Sequence, residues 1–381
     1  MGTANSNMYQ YCERARDVTA YIADTGVMGD HQEFRKPDGT SRVKRGVCFA
    51  EDCAENRGDT ICPLSGGRTN DLNWSHGTAV ASILGGNTVG AAKNVSIVPL
   101  RFYACQDDQG TAASTVERFC WALDWIRSAN NPDRNRRPAL VSLSAYVRTS
   151  EPLLASYEHV INGILLNDPA AGWTGIPVIA SANNQNNSTC MTSPARMAYR
   201  NNTTVASPGF ASPGRVISVG GSGRRVINGV LRDVRWACPM FTGEPCLSER
   251  CNGTPILRYG SNHGNAVDIY APAHHVEAAH TSAIDAYRRD TGPEGYTANQ
   301  YYGSKSGTSF AAPLAAGVVA RILQVEPNLT PTQVWDRLRT TAQTVAVPLD
   351  TSGVDQNGNQ TSNSLLLNRR YTSAQCTVEY P

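Results

Sequence analysis

The sequence predicts an α/β fold: a doubly wound, mostly parallel central sheet flanked by helices and lengthened by loop insertions. Three observations predict it. Short runs of β-branched and apolar residues alternate with helix-like segments, as parallel strands joined by crossover helices require. A hydrophobic fraction of 40% over 381 residues suits one large buried core. Reactive side chains in three distant segments must meet in one site, which assigns nearly the whole chain to a single unit.

The strand-like runs are residues 18–23, 95–102, 139–143, 176–180, 216–219 and 266–270. The first runs into a carboxylate and a turn glycine, Asp24-Thr25-Gly26. Helix-like segments follow at 79–84, directly after His76, and at 114–128. The most apolar stretch, 310–323, is interrupted by Pro313 and Arg321 and falls short of the ~20 apolar residues a membrane span needs, so it reads as a buried helix. Thr330-Pro331-Thr332-Gln333 combines an N-cap, a first-turn proline and a capping-box glutamine ahead of Val334, Leu338 and Ala342, which predicts an amphipathic helix. Beyond it, 344–364 is rich in Gly, Asn, Thr and Ser.

Composition excludes several partners. A formal net charge of +2 without any Lys/Arg block suggests neither nucleic acid nor an acidic membrane surface. The first seven residues have no basic or apolar signal character, and Met1-Gly2 with Ser6 reads as a recombinant start rather than a myristoylation signal. Eleven cysteines gather outside the strand-like runs, Cys48, Cys53 and Cys62 in one group and Cys238, Cys246 and Cys251 in another. Neither group has Cys-x2-Cys spacing, so disulfides in an oxidising compartment are expected over zinc, with the pairing left open. Sequons at Asn94, Asn187, Asn202, Asn252 and Asn328 permit glycosylation. Secretion is the expected localisation.

Two motifs carry the chemistry. Ser75-His76-Gly77-Thr78-Ala79-Val80 and Ser306-Gly307-Thr308-Ser309-Phe310-Ala311-Ala312-Pro313 each set a reactive side chain beside small residues at the start of an apolar, helix-forming run. A hydroxyl at a helix N-terminus is accessible and feels the positive end of the helix dipole, so Ser309 is the candidate nucleophile, against the plainer role of an N-cap. His76 stands where the base of such a nucleophile can be held and exposed, against the plainer reading of one histidine of seven as a satisfied polar residue. His274, His275 and His280 lack zincin spacing, and no metal site is expected there.

With Asp24, His76 and Ser309 in that chain order, residues 17–370 resemble the subtilisin-like serine peptidases, more loosely their proteinase K branch, with 1–16 as an N-terminal extension and 371–381 as a tail. The resemblance implies a secreted endopeptidase acting through a Ser309 acyl-enzyme, with His76 as the general base and Asp24 as the acceptor that fixes its tautomer. It implies Asn183 as oxyanion donor, in a segment where Ala182 replaces the usual glycine and Asn184 is the alternative. It implies an extended peptide or protein substrate paired between Gln109-Gly110-Thr111 and Ser142-Leu143-Ser144-Ala145, with Ser144 and Ala145 adding side chains along the rim of the specificity pocket where glycines are usual. Segments 226–258 and 274–305 are expected insertions, and Leu365-Leu366-Leu367-Asn368 resembles the family's closing apolar segment. No cofactor is required. Structural calcium is allowed but unlocated, the loop 85–90 being too short for the family's strong site. An inhibitory propeptide, not present in this chain, is a further expected partner. The rival readings are a subtilase-fold transpeptidase or macrocyclase, and a catalytically impaired binding module.

Overall fold

A computed structural model of the chain describes residues 15–50, 53, 76–103, 115–147, 151–186, 193–198, 215–227, 230–235, 260–264, 266–281, 301–344 and 365–366. Its centre is a ten-stranded sheet. In chain order the strands are β1 (Thr19–Asp24), β2 (Val47–Cys48), β3 (Ser96–Arg101), β4 (Ala139–Leu143), β5 (Val178–Ser181), β6 (Ile217–Ile227), β7 (Val230–Arg235), β8 (Ile269–Pro272), β9 (Val276–His280), β10 (Tyr301–Lys305), β11 (Gln343–Thr344) and β12 (Leu365–Leu366). The helices are α1 (His76–Gly85), α2 (Val116–Trp125), α3 (Glu151–Leu165), α4 (Thr308–Val325) and α5 (Pro331–Thr341).

The sheet runs β11-β12-β8-β6-β5-β4-β1-β3-β2, with β7 hairpinned onto β6 and β9–β10 forming a separate antiparallel pair. Every neighbour pair along the main path is parallel except β11–β12. Order reverses at β1, which lies between β3 and β4. Crevices at the carboxyl ends of strands on either side of such a reversal are where doubly wound sheets bind ligands. Asp24 stands at that end of β1.

Side chains alternate between two faces, as a strand's period of two dictates. Ala20 and Ile22 of β1 join α1, α4 and α5 in one apolar cluster. Tyr21 and Ala23 face the other way, into a cluster with α2 and α3. Both faces are therefore covered, and the strands read as continuous apolar runs. α4 is apolar on all sides because it lies inside the molecule, with 83% of its most apolar window buried. α5 begins with the expected capping box: the Thr330 hydroxyl accepts the Gln333 amide at 3.3 Å, and the Gln333 side chain accepts the Thr330 amide at 2.9 Å. Val334 and Leu338 are buried, and Ala342 packs against the same cluster from the helix end.

Three features differ from the sequence expectation. α3 is a full helix between β4 and β5, where a parallel crossover must run. β6 extends from the expected 216–219 out to Ile227, because it continues into the hairpin with β7. The expected insertion 274–305 begins and ends as the β9–β10 pair, which leads directly into α4.

Candidate active site

Asp24 is fixed first. Its carboxylate is 1% exposed, and Oδ1 accepts the Thr25 amide at 2.7 Å. His76, the first residue of α1, places Nδ1 2.8 Å from Oδ1 and 3.0 Å from Oδ2 of the same carboxylate. A carboxylate can only accept, so this ring nitrogen carries the proton and Nε2 is left with a free lone pair. The approach depends on Gly77: a Cβ there would collide with the Gly26 carbonyl and crowd Asp24. The Gly77 amide also donates to the Thr25 hydroxyl at 3.0 Å, which ties the start of α1 to the end of β1. The Phe310 ring packs on the imidazole, centroids 5.3 Å apart.

Ser309 is the second residue of α4. The N-cap is Gly307, with φ at +140° and no side-chain cap bond, so Ser309 is not spent on capping. The helix start is held from outside instead. Asn184 Oδ1 accepts both the Thr308 amide, at 2.8 Å, and the Thr308 hydroxyl, at 2.7 Å. The Ser309 hydroxyl donates to the Ser144 carbonyl at 3.4 Å, not to His76.

These groups share one cleft of about 220 Å³, lined by Thr25, His76, Tyr103, Ser144, Ala145, Tyr146, Ser181, Asn183, Asn184, Thr308 and Ser309. Apart from the titratable imidazole, its lining is uncharged. Burial, then the Asp24 carboxylate and the neighbouring Tyr146 phenol, push the Tyr103 phenol far above its ordinary range, so it stays protonated.

The two asparagines divide their work. Asn183 sits at the end of β5 with φ at +80°, a conformation asparagine tolerates better than most residues. Its Oδ1 accepts the Asn184 amide at 2.6 Å, while its buried Nδ2 has no partner. Asn184 is engaged by Thr308. Thr308 uses only the Asn184 oxygen, and the buried NH2 group left without a partner on this cleft is that of Asn183. Ala182 is fully buried, with its amide bonded to Val219, and does not reach the cleft.

The other expected substrate residues separate. Ser142 and Leu143 are fully buried within β4, whereas Ser144 and Ala145 reach the cleft. The Ser144 hydroxyl is turned inward, donating to the Ser309 carbonyl at 2.7 Å, so it does not project into the pocket as a rim group. Gln109, Gly110 and Thr111 lie outside the described residues. Sequence reasoning missed Tyr103 and Tyr146. Each lies just past a recognised segment, after β3 and after Ala145, and that adjacency was the available signal.

A sequence profile of the subtilase family matches residues 15–371. The chain belongs to the subtilase family. Among curated relatives, the "Extracellular serine proteinase" of Thermus sp. (strain Rt41A) is 27% identical over 87% of this chain and 56% of its own length. "Alkaline serine exoprotease A" of Vibrio alginolyticus is 26% identical over 88% of the chain and 44% of its own length. The subtilase chain thus spans about half the length of these relatives. Its fold is similar to that of a cold-adapted subtilisin-like serine proteinase, with a TM-score of 0.58 at 23% identity, covering 96% of this chain and 93% of that one.

Two further expectations meet the structure here. Cys48 and Cys53 form a disulfide between β2 and the segment after it, and Cys120 is free. Cys62, Cys238, Cys246 and Cys251 lie outside the described residues. The loop after α1 is organised around a buried carboxylate: Glu33 accepts the Thr88 and Val89 amides at 3.0 and 3.1 Å, the Tyr302 hydroxyl at 2.5 Å, and the Thr88 hydroxyl. The amides of this loop are thus spent on a protein carboxylate.

Proposed function

We propose that this subtilase is a secreted serine endopeptidase that cleaves peptide bonds through an acyl-enzyme on Ser309. The observation that carries the reading is the Asp24–His76 pair, protonated at Nδ1 and facing the same cleft as Ser309 and the unpartnered Asn183 amide. For attack, the Ser309 hydroxyl turns from the Ser144 carbonyl toward His76 Nε2, which takes its proton. Asp24 stabilises the imidazolium so formed, and the ring returns the proton to the leaving amine. The oxyanion meets Asn183 Nδ2 and the Ser309 amide, one of the four N–H groups that a helix leaves unbonded at its start.

A peptide or protein substrate lies extended along the segment after β4, with its side chain in the uncharged cleft beside Tyr146. Such a pocket favours apolar or neutral side chains over basic ones, since it offers no carboxylate to pair with a buried cation. Secretion is supported by the Cys48–Cys53 disulfide and by the extracellular description of the Thermus relative. No cofactor enters this scheme. The test is labelling by a fluorophosphonate followed by peptide mapping. The wild type is labelled on Ser309 and the Ser309→Ala variant is not. Absence of label on the wild type would leave a binding module, and transfer to a competing amine in place of hydrolysis would leave a transpeptidase.

A further inference from the structure

A helix carbonyl at position i is ordinarily satisfied by the amide of residue i+4. For Ser309 that residue is Pro313, inside α4, which has no N–H to give. The carbonyl of the proposed nucleophile is therefore deprived of its regular partner on a buried turn, a costly arrangement unless something else donates. Something does. The Ser144 hydroxyl reaches across from the end of β4 and donates to the Ser309 carbonyl at 2.7 Å. Ser144 is 8% exposed, so water competes poorly for that bond. In the opposite direction, the Ser144 carbonyl receives the Ser309 hydroxyl at 3.4 Å. The two residues thus bond reciprocally, side chain to backbone each way.

We infer that Ser144 is a positioning residue for the nucleophile: its hydroxyl replaces the amide that Pro313 lacks, and so holds the Ser309 turn of α4 in register with the segment along which substrate lies. The inference rests on the serine-hydrolase reading above. Asn184 clamps the same helix start one residue earlier, through Thr308, so Ser309 is held on both sides of its own peptide plane. Ser144 touches no reacting atom in this role. Its effect falls on how often Ser309 is aligned, hence on kcat and on acylation rather than on substrate affinity.

A double-mutant cycle tests it. Ser144→Ala is compared with wild type for the rate of fluorophosphonate labelling and for kcat and KM on one peptide substrate, each per folded molecule as judged by thermal melting. A lost bond of ordinary strength predicts about a three- to tenfold fall in labelling rate and kcat, with KM within about twofold. The same substitution is then made in a Pro313→Ala background, where residue 313 regains its N–H. There the penalty shrinks below about twofold, because the helix supplies its own donor. Coupling of that kind does not arise from general damage to the cleft. If Ser144→Ala fails to fold, Ser144→Gly gives the same reading. Equal labelling of wild type and Ser144 variant overturns the inference, as does a penalty of the same size in both backgrounds, and either leaves the hydrolase reading intact. A wild type that takes no label overturns both.

Discussion

Asp24→Asn isolates the tautomer argument. In the native site, Oδ1 holds the Thr25 amide at 2.7 Å, and both oxygens face His76 Nδ1, at 2.8 and 3.0 Å. With asparagine, the single oxygen stays where it satisfies the Thr25 amide, and the NH2 group takes the Oδ2 position. That group is a donor, so Nδ1 must become the acceptor and the ring proton moves to Nε2. An imidazole protonated at Nε2 cannot take the Ser309 proton. Exchange of this kind in a Ser-His-Asp triad is known to cost about 10⁴ in kcat, or about 5 kcal/mol at 1.36 kcal/mol per factor of ten. Shape and volume barely change, so the melting temperature should stay close to wild type. The assay is steady-state hydrolysis of a peptide substrate beside a thermal melt. A variant that folds like wild type and keeps more than about a tenth of its kcat would refute the reasoning, since Asp24 would then not govern the base.

Asn183→Ala removes the one unpartnered buried amide on the cleft, and kcat should drop about 10²- to 10³-fold with KM little altered, the loss known for a missing oxyanion donor; Asn184→Ala should instead lower the melting temperature as well, because it frees the start of α4. His31 is fully buried, with Nδ1 accepting the Glu33 amide and Nε2 meeting the Tyr301 carbonyl, and burial lowers its pKa below 6.5 despite the opposing pull of that carbonyl and nearby acids. The unfolded chain then binds the proton first as pH falls. Stability contributed by neutral His31 is complete above about pH 6.5 and is lost on acidification from there through the lower folded pKa, so melting temperatures measured from pH 7.5 downward should fall less steeply in His31→Gln than in wild type. Thr330→Ala removes the side-chain half of the α5 capping box, leaving the Gln333 amide without its acceptor, and should cost about 1 kcal/mol in urea unfolding with kcat unchanged. Cys48→Ser opens the short loop that the disulfide closes and should cost about 2 kcal/mol or less, read as a lower urea midpoint in non-reducing buffer.

Much of the site was legible because its chemistry is local in sequence. Asp24 ends an apolar run, His76 and Ser309 open apolar helical runs, and Gly77 marks the place where the start of α1 must pass close to the backbone after Asp24. The α5 cap was readable for the same reason, since Thr330, Pro331 and Gln333 act within one turn. What resisted reading was long-range. That Asn184 spends its oxygen on the start of α4 depends on Thr308, 124 residues away. The inward turn of Ser144 depends on a carbonyl 165 residues away. α3 escaped because Tyr157, Ile161 and Ile164 mark only one face of a helix whose remaining residues carry no pattern of their own. The β6–β7 hairpin had a readable signal that was passed over, Asn228-Gly229 between two strand-like runs, whereas the β9–β10 pair escaped because residues 281–300 separate its strands.

The division of the core between two sheet faces explains how the site can be rigid where it reacts and adjustable where it selects. α1 and α4, which carry His76 and Ser309, pack with Ala20 and Ile22 of β1 in a single apolar cluster, so the strand bearing Asp24 and the two helices share one body of contacts. A small shift in that cluster would misplace all three groups relative to one another, and close packing resists such shifts. Leu143 and Ala145, on the segment along which substrate is proposed to lie, are rooted in the opposite cluster with α2 and α3. Tyr146 follows them and is 43% exposed, with little core attached to it. Changes at that rim are therefore expected to alter what fits the cleft without disturbing the proposed proton relay. Ser144 is the exception, because its hydroxyl bridges the two bodies at Ser309, and the rim residue that looks freest to vary in sequence is the one most tightly coupled to the nucleophile.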